Sequence, residues 1–379
     1  MMITKKGKYN TANIMIDSID DATDKQIQDF LNHPAFANSY IAIMPDTHAG
    51  KGAVIGFTMK MNDYLIPNVI GVDIGCGMLS AKFDLPNIDL KKFDLFIKEN
   101  IPSGFHIHTD NRHFNQTLSR DLVDIYDVCH KIGIDENKVI KSIGTLGGGN
   151  HFIEAGIDSK GFIWVTIHSG SRNFGLRVAN YHQNKAKEIL KQYFSPYVGT
   201  GLEFLVVGTP EYNDYLSDLK IAQQYAALNR WYILREIINF FGNEPIKQIS
   251  SVHNFIDEDN IIRKGATPAH EGEDVIIPFN MRDGIAICKG KGNPKYNYSA
   301  PHGAGRILSR VKAKEQLSVE NFKKQMSDAG VYTSTATAET LDEAPDAYKD
   351  MNVILENIKE TVDVVEMVKP IYNFKAGSD

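Results

Sequence analysis

The chain has 379 residues, and its 41 Lys and Arg side chains against 47 Asp and Glu side chains give a formal net charge of −6. That charge excludes a long acidic tail and a generally basic nucleic-acid-binding surface. Hydrophobic residues at 42% and charged residues at 23% are close to the averages of globular chains, which excludes a disordered or fibrous protein. The apolar runs fall far short of the ~20 residues that span a bilayer, and the first residues lack the apolar core of a secretory signal, so we predict a cytoplasmic protein without membrane contact.

The first 170 residues predict a mixture of helices and strands. Apolar residues at helical spacing predict helices at Asp24–Leu31 and Leu90–Ile101. Short apolar runs bounded by Gly and Pro predict strands at Tyr40–Met44, Ala53–Met61, Asn68–Ile74 and Phe162–Ile167.

The rest of the chain predicts two long helices, then strands, then helices again. The long helices are expected at Arg172–Phe194 and Tyr212–Phe241. The last ~75 residues are expected to be mainly helical, with Ser318 as the N-cap of Val319–Met326. Because strands and helices come in blocks, we predict an α+β fold and one domain over residues 1–379, with a helical insertion at about 172–242. The strands between the helical blocks are expected at Gln248–His253, Asp274–Pro278 and Gly284–Cys288.

Histidine is concentrated in contexts that suit chemistry. Six of the twelve histidines lie beside Gly, Asn, Ser, Glu or Pro in turn-like segments rather than on helical faces. A single histidine of this kind is usually structural or merely exposed, but six of them indicate a functional site. They are His48, His151, His168, His253, His270 and His302.

The segment NVIGVDIGCGM combines a carboxylate and a thiol in a glycine-rich turn. Asp73 and Cys76 are three residues apart, and the glycines permit backbone angles that let both side chains converge. The three cysteines, which also include Cys129 and Cys288, are widely spaced and predict reduced thiols rather than disulfides. Cys76 is therefore a candidate metal ligand, and the alternative is a buried cysteine in a tight turn.

Two further segments add candidate ligands. In GTLGGGNHFIE, glycines that can cradle an anion precede His151, but neither a Walker nor a Rossmann fingerprint fits. His168 and His253 each end a β-like run. Together with Asp73 and Cys76 these histidines would form a five-ligand set, for which ligand softness suggests zinc or a dinuclear site of borderline metals.

His302 lies in NYSAPHGAGR, where small residues leave its ring uncrowded. An accessible imidazole in a loop suited to phosphate is a candidate nucleophile toward phosphorus, or a general acid or base. Cations beside flexible backbone at Arg263–Thr267 and Lys289–Asn293 also suit phosphate groups, although a solvated loop explains either segment alone.

Seven motifs together resemble the RtcB family of tRNA-splicing type RNA ligases. They occur in order from about residue 40 to the C-terminus, so composition does not explain them. They are MPDTHAGKG (Met44–Gly52), GVDIGCGM (Gly71–Met78), GGGNHFIE (Gly147–Glu154), HSGSR (His168–Arg172), VHNF (Val252–Phe255), RKGAT (Arg263–Thr267) and PHGAGR (Pro301–Arg306).

The resemblance implies an RtcB-type fold, with mixed central sheets flanked by helices, and a GTP- and manganese-dependent ligase. Such an enzyme joins an RNA 2′,3′-cyclic phosphate or 3′-phosphate end to a 5′-hydroxyl end, in tRNA splicing or RNA repair. His302 falls on the histidine that becomes guanylylated, and Arg172 on a phosphate or RNA contact. An archease-type activator is a further partner that the resemblance implies. Two Mn²⁺ ions, rather than zinc, would be bound by Asp73, Cys76, His151, His168 and His253.

GTP-binding positions also follow from the resemblance. Lys375 looks like the family's guanine-contacting lysine. The other positions are Asn150, His151, Phe152, Ile153, Glu154, His253, Asn254, Pro278, Phe279, Asn280, Met281, His302, Gly303, Ala304 and Gly305, with Arg306 beside them.

Two rival interpretations remain open from the sequence. The first is a metal-dependent RNA phosphodiesterase or hydrolase without a GTP step, which would have no use for His302 as a covalent residue or for Lys375. The second is a non-catalytic RNA-binding protein, which would have no reason to keep the complete ligand set.

Overall fold

The computed structural model describes residues 2–110 and 119–377. Helices α1 to α10 in this part of the chain are α1 (Asp21–Leu31), α2 (Pro67–Ile70), α3 (Leu90–Asn100), α4 (Ser119–Ile132), α5 (Glu136–Lys141), α6 (Arg172–Gln192), α7 (Pro210–Phe241), α8 (Arg310–Gln316), α9 (Val319–Asp328) and α10 (Met351–Asn357). No helix among these described residues is long and apolar enough to cross a membrane.

Strands β1 to β17 alternate with these helices in blocks. They are β1 (Ile3–Lys6), β2 (Thr11–Ile14), β3 (Ile41–His48), β4 (Ile55–Lys60), β5 (Tyr64–Leu65), β6 (Gly77–Phe83), β7 (Phe152–Ile157), β8 (Ile163–Ser169), β9 (Leu205–Val206), β10 (Lys247–Val252), β11 (Asn254–Ile256), β12 (Ile261–Lys264), β13 (Ala266–Pro268), β14 (Asp274–Pro278), β15 (Ile285–Gly290), β16 (Ser299–Pro301) and β17 (Val362–Lys375).

Two large sheets organise the described residues. The first has six strands in the order β1-β2-β3-β4-β12-β11, and the second has seven in the order β10-β6-β8-β7-β17-β15-β14. The edge strands β10 and β14 of the second sheet approach each other, so that this sheet is nearly closed like a barrel. The predicted α+β class and RtcB-type fold, with mixed sheets flanked by helices, are confirmed.

Hydrophobic clusters lie on both faces of the second sheet. One face packs against α3 and the end of α7, through residues such as Phe93, Ile167 and Ile237. Inside the curved sheet, Met78, Phe152 and further apolar side chains form a separate cluster. Because the second sheet is packed on both faces, its strand ends are held rigidly, and the candidate site lies at these ends.

Helices α6 and α7 lie in the segment predicted as a helical insertion, about 172–242. That residues 1–379 form a single domain stays a prediction. Thr209 caps the N-terminus of α7, and Gly242 ends it in the left-handed conformation with φ of 64°. Ser318 caps α9 as predicted, accepting a hydrogen bond from the backbone N–H of Asn321. These local stop and start signals were readable because they act through near neighbours.

Two predicted elements differ from the structure. The strand expected over Asn68–Ile74 is wrong, because Pro67 begins the helical turn α2 and a loop follows it. That loop bends at Gly71 and Gly75, which have φ of 104° and 69°. The mainly helical C-terminus is also only partly correct, because the chain ends in β17, 14 residues long. Partners β7 and β15 on both sides of β17 supply the hydrogen bonds that determine this strand.

Candidate active site

The predicted metal ligands come together at one end of the second sheet. Cys76 directly precedes β6, and His168 is the penultimate residue of β8. His151 directly precedes β7, and His253 lies between β10 of the second sheet and β11 of the first. Because β10, β6, β8 and β7 are neighbours, their ends bring these side chains to one point, and the loop before β6 adds Asp73.

The ligand atoms are close enough to share metal ions. The Sγ atom of Cys76 lies 3.3 Å from Nε2 of His168 and 3.5 Å from Nε2 of His151. His168 Nε2 is 3.3 Å from His253 Nε2, and His151 Nε2 is 3.0 Å from Asp73 Oδ2. Thiolate and imidazole ligands at ordinary bond lengths around a tetrahedral ion are about 3.5 Å apart. The donor set therefore fits a metal centre.

Backbone carbonyl groups orient two of the imidazoles. Nδ1 of His151 contacts the carbonyl oxygen of Leu146 at 3.0 Å, and Nδ1 of His168 contacts that of Asn150 at 3.1 Å. A proton on each Nδ1 donates to the carbonyl, so each Nε2 presents a lone pair to the cluster. The ligand geometry is thus built into the loops that surround it.

Burial controls the charges of the ligands. Burial raises the pKa of the Cys76 thiol well above its usual value, and Asp73 adds to this, while the guanidinium of Arg230 opposes it. Burial also lowers the pKa of His168 and His253 well below the ordinary value, so both rings are neutral at neutral pH. A bound cation would deprotonate the thiol, and neutral imidazoles are the form that binds metal.

The candidate nucleophile His302 is held by a buried carboxylate. Its Nδ1 lies 2.6 Å from Oδ2 of Asp46, which is fully buried in β3. The side chain of Lys349 donates to the carbonyl oxygens on either side of Asp46. Gly305, with φ of 75°, passes so close that a Cβ would lie 2.1 Å from the carbonyl oxygen of Asp46. With Nδ1 bound to Asp46, Nε2 of His302 is the nitrogen available for reaction.

A cavity of about 620 Å³ adjoins both the metal cluster and His302. Its size suits a nucleotide. Among the residues predicted to bind GTP, those that line it are Asn150, Phe152, Glu154, Pro278, Phe279, Asn280, Met281, His302, Gly303, Ala304, Gly305 and Lys375.

Two buried carboxyl groups near the cavity have pKa values shifted in opposite directions: Glu154 lines the cavity, and Glu343 lies behind Lys375. Burial raises the pKa of Glu154 to about 8, although Asn373 and Lys375 oppose this shift. Burial would also raise the pKa of Glu343, but the cations of Lys375, Arg310 and Arg306 hold it at about 2. Lys375 Nζ lies 2.7 Å from Glu343 Oε2, so its ammonium is fixed at the cavity wall.

Most of the chain matches known proteins. The family model described as tRNA-splicing ligase RtcB matches residues 26–376. The chain belongs to the RtcB family. It is 30% identical over 374 residues to the RNA-splicing ligase RtcB of Escherichia coli K12, covering 89% of this chain and 90% of that protein. It is 26% identical over 404 residues to the tRNA-splicing ligase RtcB of Aeropyrum pernix, covering 84% and 83%.

Four of the predicted GTP-binding residues do not line the cavity. Two of them, His151 and His253, belong to the group of candidate metal ligands, and the other two are Ile153 and Asn254. Ile153 is fully buried in the hydrophobic cluster on the other face of the second sheet, so its side chain does not face the cavity. The Asn254 amide donates to the carbonyl oxygen of Asp73 and accepts from the N–H of Gly265. Asn254 therefore supports the loops that carry the candidate ligand Asp73 and the residues next to His302.

Arg172, which the sequence predicts to contact phosphate or RNA, has a strained backbone. Its φ is 55°, a left-handed conformation that costs about 1–3 kcal/mol for a residue with a side chain. Its guanidinium donates to Thr145 Oγ1 at 3.0 Å and to the carbonyl oxygen of Gly104 at 2.8 Å. A Cβ on Gly147 would overlap this guanidinium, so the glycine-rich loop leaves space for Arg172 beside His151.

Several residues of the site were not predicted from the sequence. Asp46 lies within the motif MPDTHAGKG, which was the one available signal, yet no role followed from it. Asp20 and Ala22, near the start of α1, line the cavity although the first 40 residues carry no motif. Arg310 and Asn373 also line it, and neither lies in any of the seven motifs.

Two other groups of potential ligands are already paired. His182 Nε2 lies 2.8 Å from Asp218, which also accepts a hydrogen bond from Lys131. Asp257 pairs with the buried Arg263. His270, another of the histidines noted in the sequence, stacks on Tyr298 with ring centroids 5.3 Å apart. None of its contacts among the described residues is with a candidate metal ligand. These groups are explained by packing and ion pairing.

Proposed function

We propose that the protein is a GTP- and Mn²⁺-dependent RNA ligase. It would join RNA 2′,3′-cyclic phosphate or 3′-phosphate ends to 5′-hydroxyl ends in the cytoplasm, in tRNA splicing or RNA repair. One observation carries this proposal: His302 is bound through Nδ1 to Asp46 and adjoins a nucleotide-sized cavity next to a Cys, His and Asp cluster. The names of the RtcB relatives support the same class of reaction.

The first step would be attack by Nε2 of His302 on the α-phosphorus of GTP. A nitrogen–phosphorus bond forms, the bond to the β-phosphate oxygen breaks and pyrophosphate leaves. Asp46 would stabilise the positive charge that develops on the ring, because its carboxylate accepts a hydrogen bond from Nδ1–H, with Nδ1 and Oδ2 2.6 Å apart. The product is GMP bound covalently to His302.

Asp73, Cys76, His151, His168 and His253 would bind two manganese ions. When bound, such ions neutralise charge on phosphoryl oxygens and position the reacting groups. The fit rests on the contact distances of 3.0–3.5 Å between ligand atoms and on the carbonyl groups that direct the rings. Ligand softness alone suggested zinc, and we propose manganese because of the family relationship.

In the second and third steps the guanylyl group would activate the RNA end. An oxygen of the RNA 3′-phosphate attacks the phosphorus of the histidine–GMP, and the nitrogen–phosphorus bond breaks. The RNA 5′-hydroxyl then attacks the activated 3′-phosphate, a phosphodiester forms and GMP leaves. A 2′,3′-cyclic phosphate would first be opened to the 3′-phosphate by water.

RNA binding by a chain with net charge −6 requires local positive charge at the cavity. Arg172 lies against Gly147, and Arg310 is placed so that a Cβ on Gly149 would be 3.6 Å from its Nη2. Both guanidinium groups thus lie beside the glycine-rich loop Gly147–Gly149, where their positive charge would bind an RNA phosphate. An archease-type activator protein remains a further partner implied by the family relationship.

A labelling experiment tests this function. Protein mixed with GTP labelled at the α-phosphate and Mn²⁺ should acquire label that survives denaturation, is lost in mild acid and resists alkali, as expected for a phosphoramidate. His302→Ala should take no label but should still bind Mn²⁺. His130→Ala is a matched control, because the His130 side chain is 76% exposed on α4, and it should be labelled like the wild type.

The same reaction supplied with RNA separates the rival functions. Joining of a 2′,3′-cyclic phosphate end to a 5′-hydroxyl end, dependent on GTP, supports the ligase. Hydrolysis of the cyclic phosphate without label on the protein would favour the phosphodiesterase. Binding of RNA without any reaction would favour the non-catalytic protein.

A further inference from the structure

Four side chains from two neighbouring strands form the floor of the cavity. In the antiparallel pair β7 and β17, Asn373 lies opposite Glu154 and Lys375 lies opposite Phe152. All four line the cavity. The alternate residue Tyr372 belongs to the hydrophobic cluster on the other face of the sheet. The position of Asn373 in the cavity floor therefore follows from strand register.

Asn373 and Glu154 form a pair with two unused acceptors. Asn373 Nδ2 donates to Glu154 Oε2 at 2.8 Å. Asn373 Oδ1 and Glu154 Oε1 have no hydrogen-bond partner among the described residues, although the side chains are only 1% and 3% exposed. Buried acceptors without donors are costly, so these two, which lie in a cavity lining, call for donors from a bound molecule. The cavity floor thus calls for a ligand edge that carries two adjacent donors.

Guanine has such an edge. Its N1–H and 2-amino group are neighbouring donors, and the adjacent O6 is an acceptor. Adenine lacks the 2-amino group and presents an acceptor at N1. Glu154 and Asn373 offer acceptors, and the ammonium of Lys375, two residues from Asn373 on the same strand, offers donors.

We propose that Asn373 is a specificity-determining residue whose Oδ1 accepts a hydrogen bond from the 2-amino group of guanine, while its Nδ2 holds Glu154 toward N1–H. This inference rests on the proposed function, because it assigns the guanine of GTP to this cavity. Donation by Asn373 and by N1–H to the Glu154 carboxyl would favour its ionised form, which is the form that accepts both bonds.

Inosine nucleotides test the inference, because they lack only the 2-amino group. Binding of GMP and of IMP is measured by calorimetry in the presence of Mn²⁺, which avoids turnover. The wild type should bind GMP about tenfold more tightly than IMP, as expected for one hydrogen bond to a buried acceptor. In Asn373→Ala the ratio of the two affinities should fall toward one. An unchanged ratio in this variant would overturn the proposal.

Two further variants distinguish the loss of the Asn373 amide oxygen from a general effect on folding. Asn373→Asp keeps an acceptor oxygen and removes the donor to Glu154, so it should bind both nucleotides more weakly yet still prefer GMP. Lys369→Ala, at an exposed position on the same strand, should behave like the wild type. If Asn373→Ala does not fold, the wild-type measurement still tests the proposal, because equal affinities of the wild type for GMP and IMP would contradict it.

Failure of this inference is distinguishable from failure of the proposed function. If the wild type neither binds GMP nor takes label from GTP, the proposed function fails and the inference fails with it. If the wild type binds GMP and His302 is labelled, but Asn373→Ala leaves the preference for GMP intact, only the assignment of Asn373 is wrong.

Discussion

The metal cluster and the cavity floor are built in different ways. In the cluster, the described ligand atoms contact one another at 3.0–3.5 Å, and backbone carbonyl groups orient two of the rings. In the floor, two buried acceptors have no partner, and an ammonium is held by Glu343 on the wall. Pairing of strands that are distant in sequence brings both groups together. In the cluster, nearby loop carbonyl groups also orient the rings, whereas the floor leaves two acceptors for a ligand. We therefore expect mutations in the cluster and mutations in the floor to have different effects.

Loss of a cluster ligand should have the largest effect. Cys76→Ala or His168→Ala removes a metal–ligand bond that water cannot replace at equal affinity, so most bound metal and all ligation should be lost while the fold remains. Metal content after gel filtration measures this effect. Cys288→Ala is the matched control, because Cys288 is also buried but lies in a hydrophobic cluster away from the candidate metal ligands. Wild-type metal content in Cys76→Ala would remove Cys76 from the ligand set.

Asp46→Asn should come next, because it acts on His302 alone. Without the carboxylate, the ring loses its fixed proton position and the stabilisation of its developing charge. We expect protein labelling by GTP to slow by about 10²-fold or more. Metal content and affinity for GMP should stay within about threefold of the wild type. An equal loss of GMP binding would show that Asp46 supports the cavity rather than the nucleophile.

Lys375→Ala should affect the floor more than the cluster. A hydrogen bond from a charged donor to a base oxygen contributes about 1.5–3 kcal/mol, so GTP use should fall about ten- to hundred-fold. Sealing of RNA that already carries a guanylylated 3′-phosphate should fall much less, because the base then arrives attached to the RNA. Rates of the two reactions, measured separately, check this. Equal losses would mean that Lys375 acts elsewhere.

The pH dependence of stability should give the smallest effect and should come from the floor. The pKa of Glu154 is raised by burial to about 8 in the folded protein, above the ordinary 4.5. Between pH 4.5 and about 8, Glu154 is therefore protonated in the folded state and ionised in the unfolded state. This protonation contributes fully to the free energy of unfolding below pH 4.5. The contribution is lost as the pH rises toward 8, by at most about 1.4 kcal/mol per pH unit.

Unfolding of wild type and Glu154→Gln between pH 5 and 8 measures this contribution. The glutamine variant does not titrate, so its stability should fall less over this range. Saturating GMP should reduce the difference, because donors from the base would stabilise the ionised carboxylate. Identical pH profiles for the two proteins would contradict the raised pKa of Glu154.

Much of the fold followed from short-range patterns. The positions of α1, α3, α6, α7 and α9 agree with hydrophobic periodicity and capping residues, because these act within one or two helical turns. The strand predicted over Asn68–Ile74 failed, since an apolar run does not by itself distinguish a strand from a helical turn followed by a glycine loop. β17 was missed because its conformation depends on partners that are distant in sequence.

The chemistry of the site was indicated by the amino-acid sequence: candidate metal ligands, a histidine, His302, suited to attack on phosphorus, and seven ordered motifs of the RtcB family. These properties reside in residue types and in spacings of a few residues. The folded structure was needed to show that Asp46 contacts His302, across 256 residues of sequence, and that Asn373 and Glu154 share the cavity floor. Such contacts arise from strand register and sheet closure, which are determined by packing over the whole chain, so no local pattern records them.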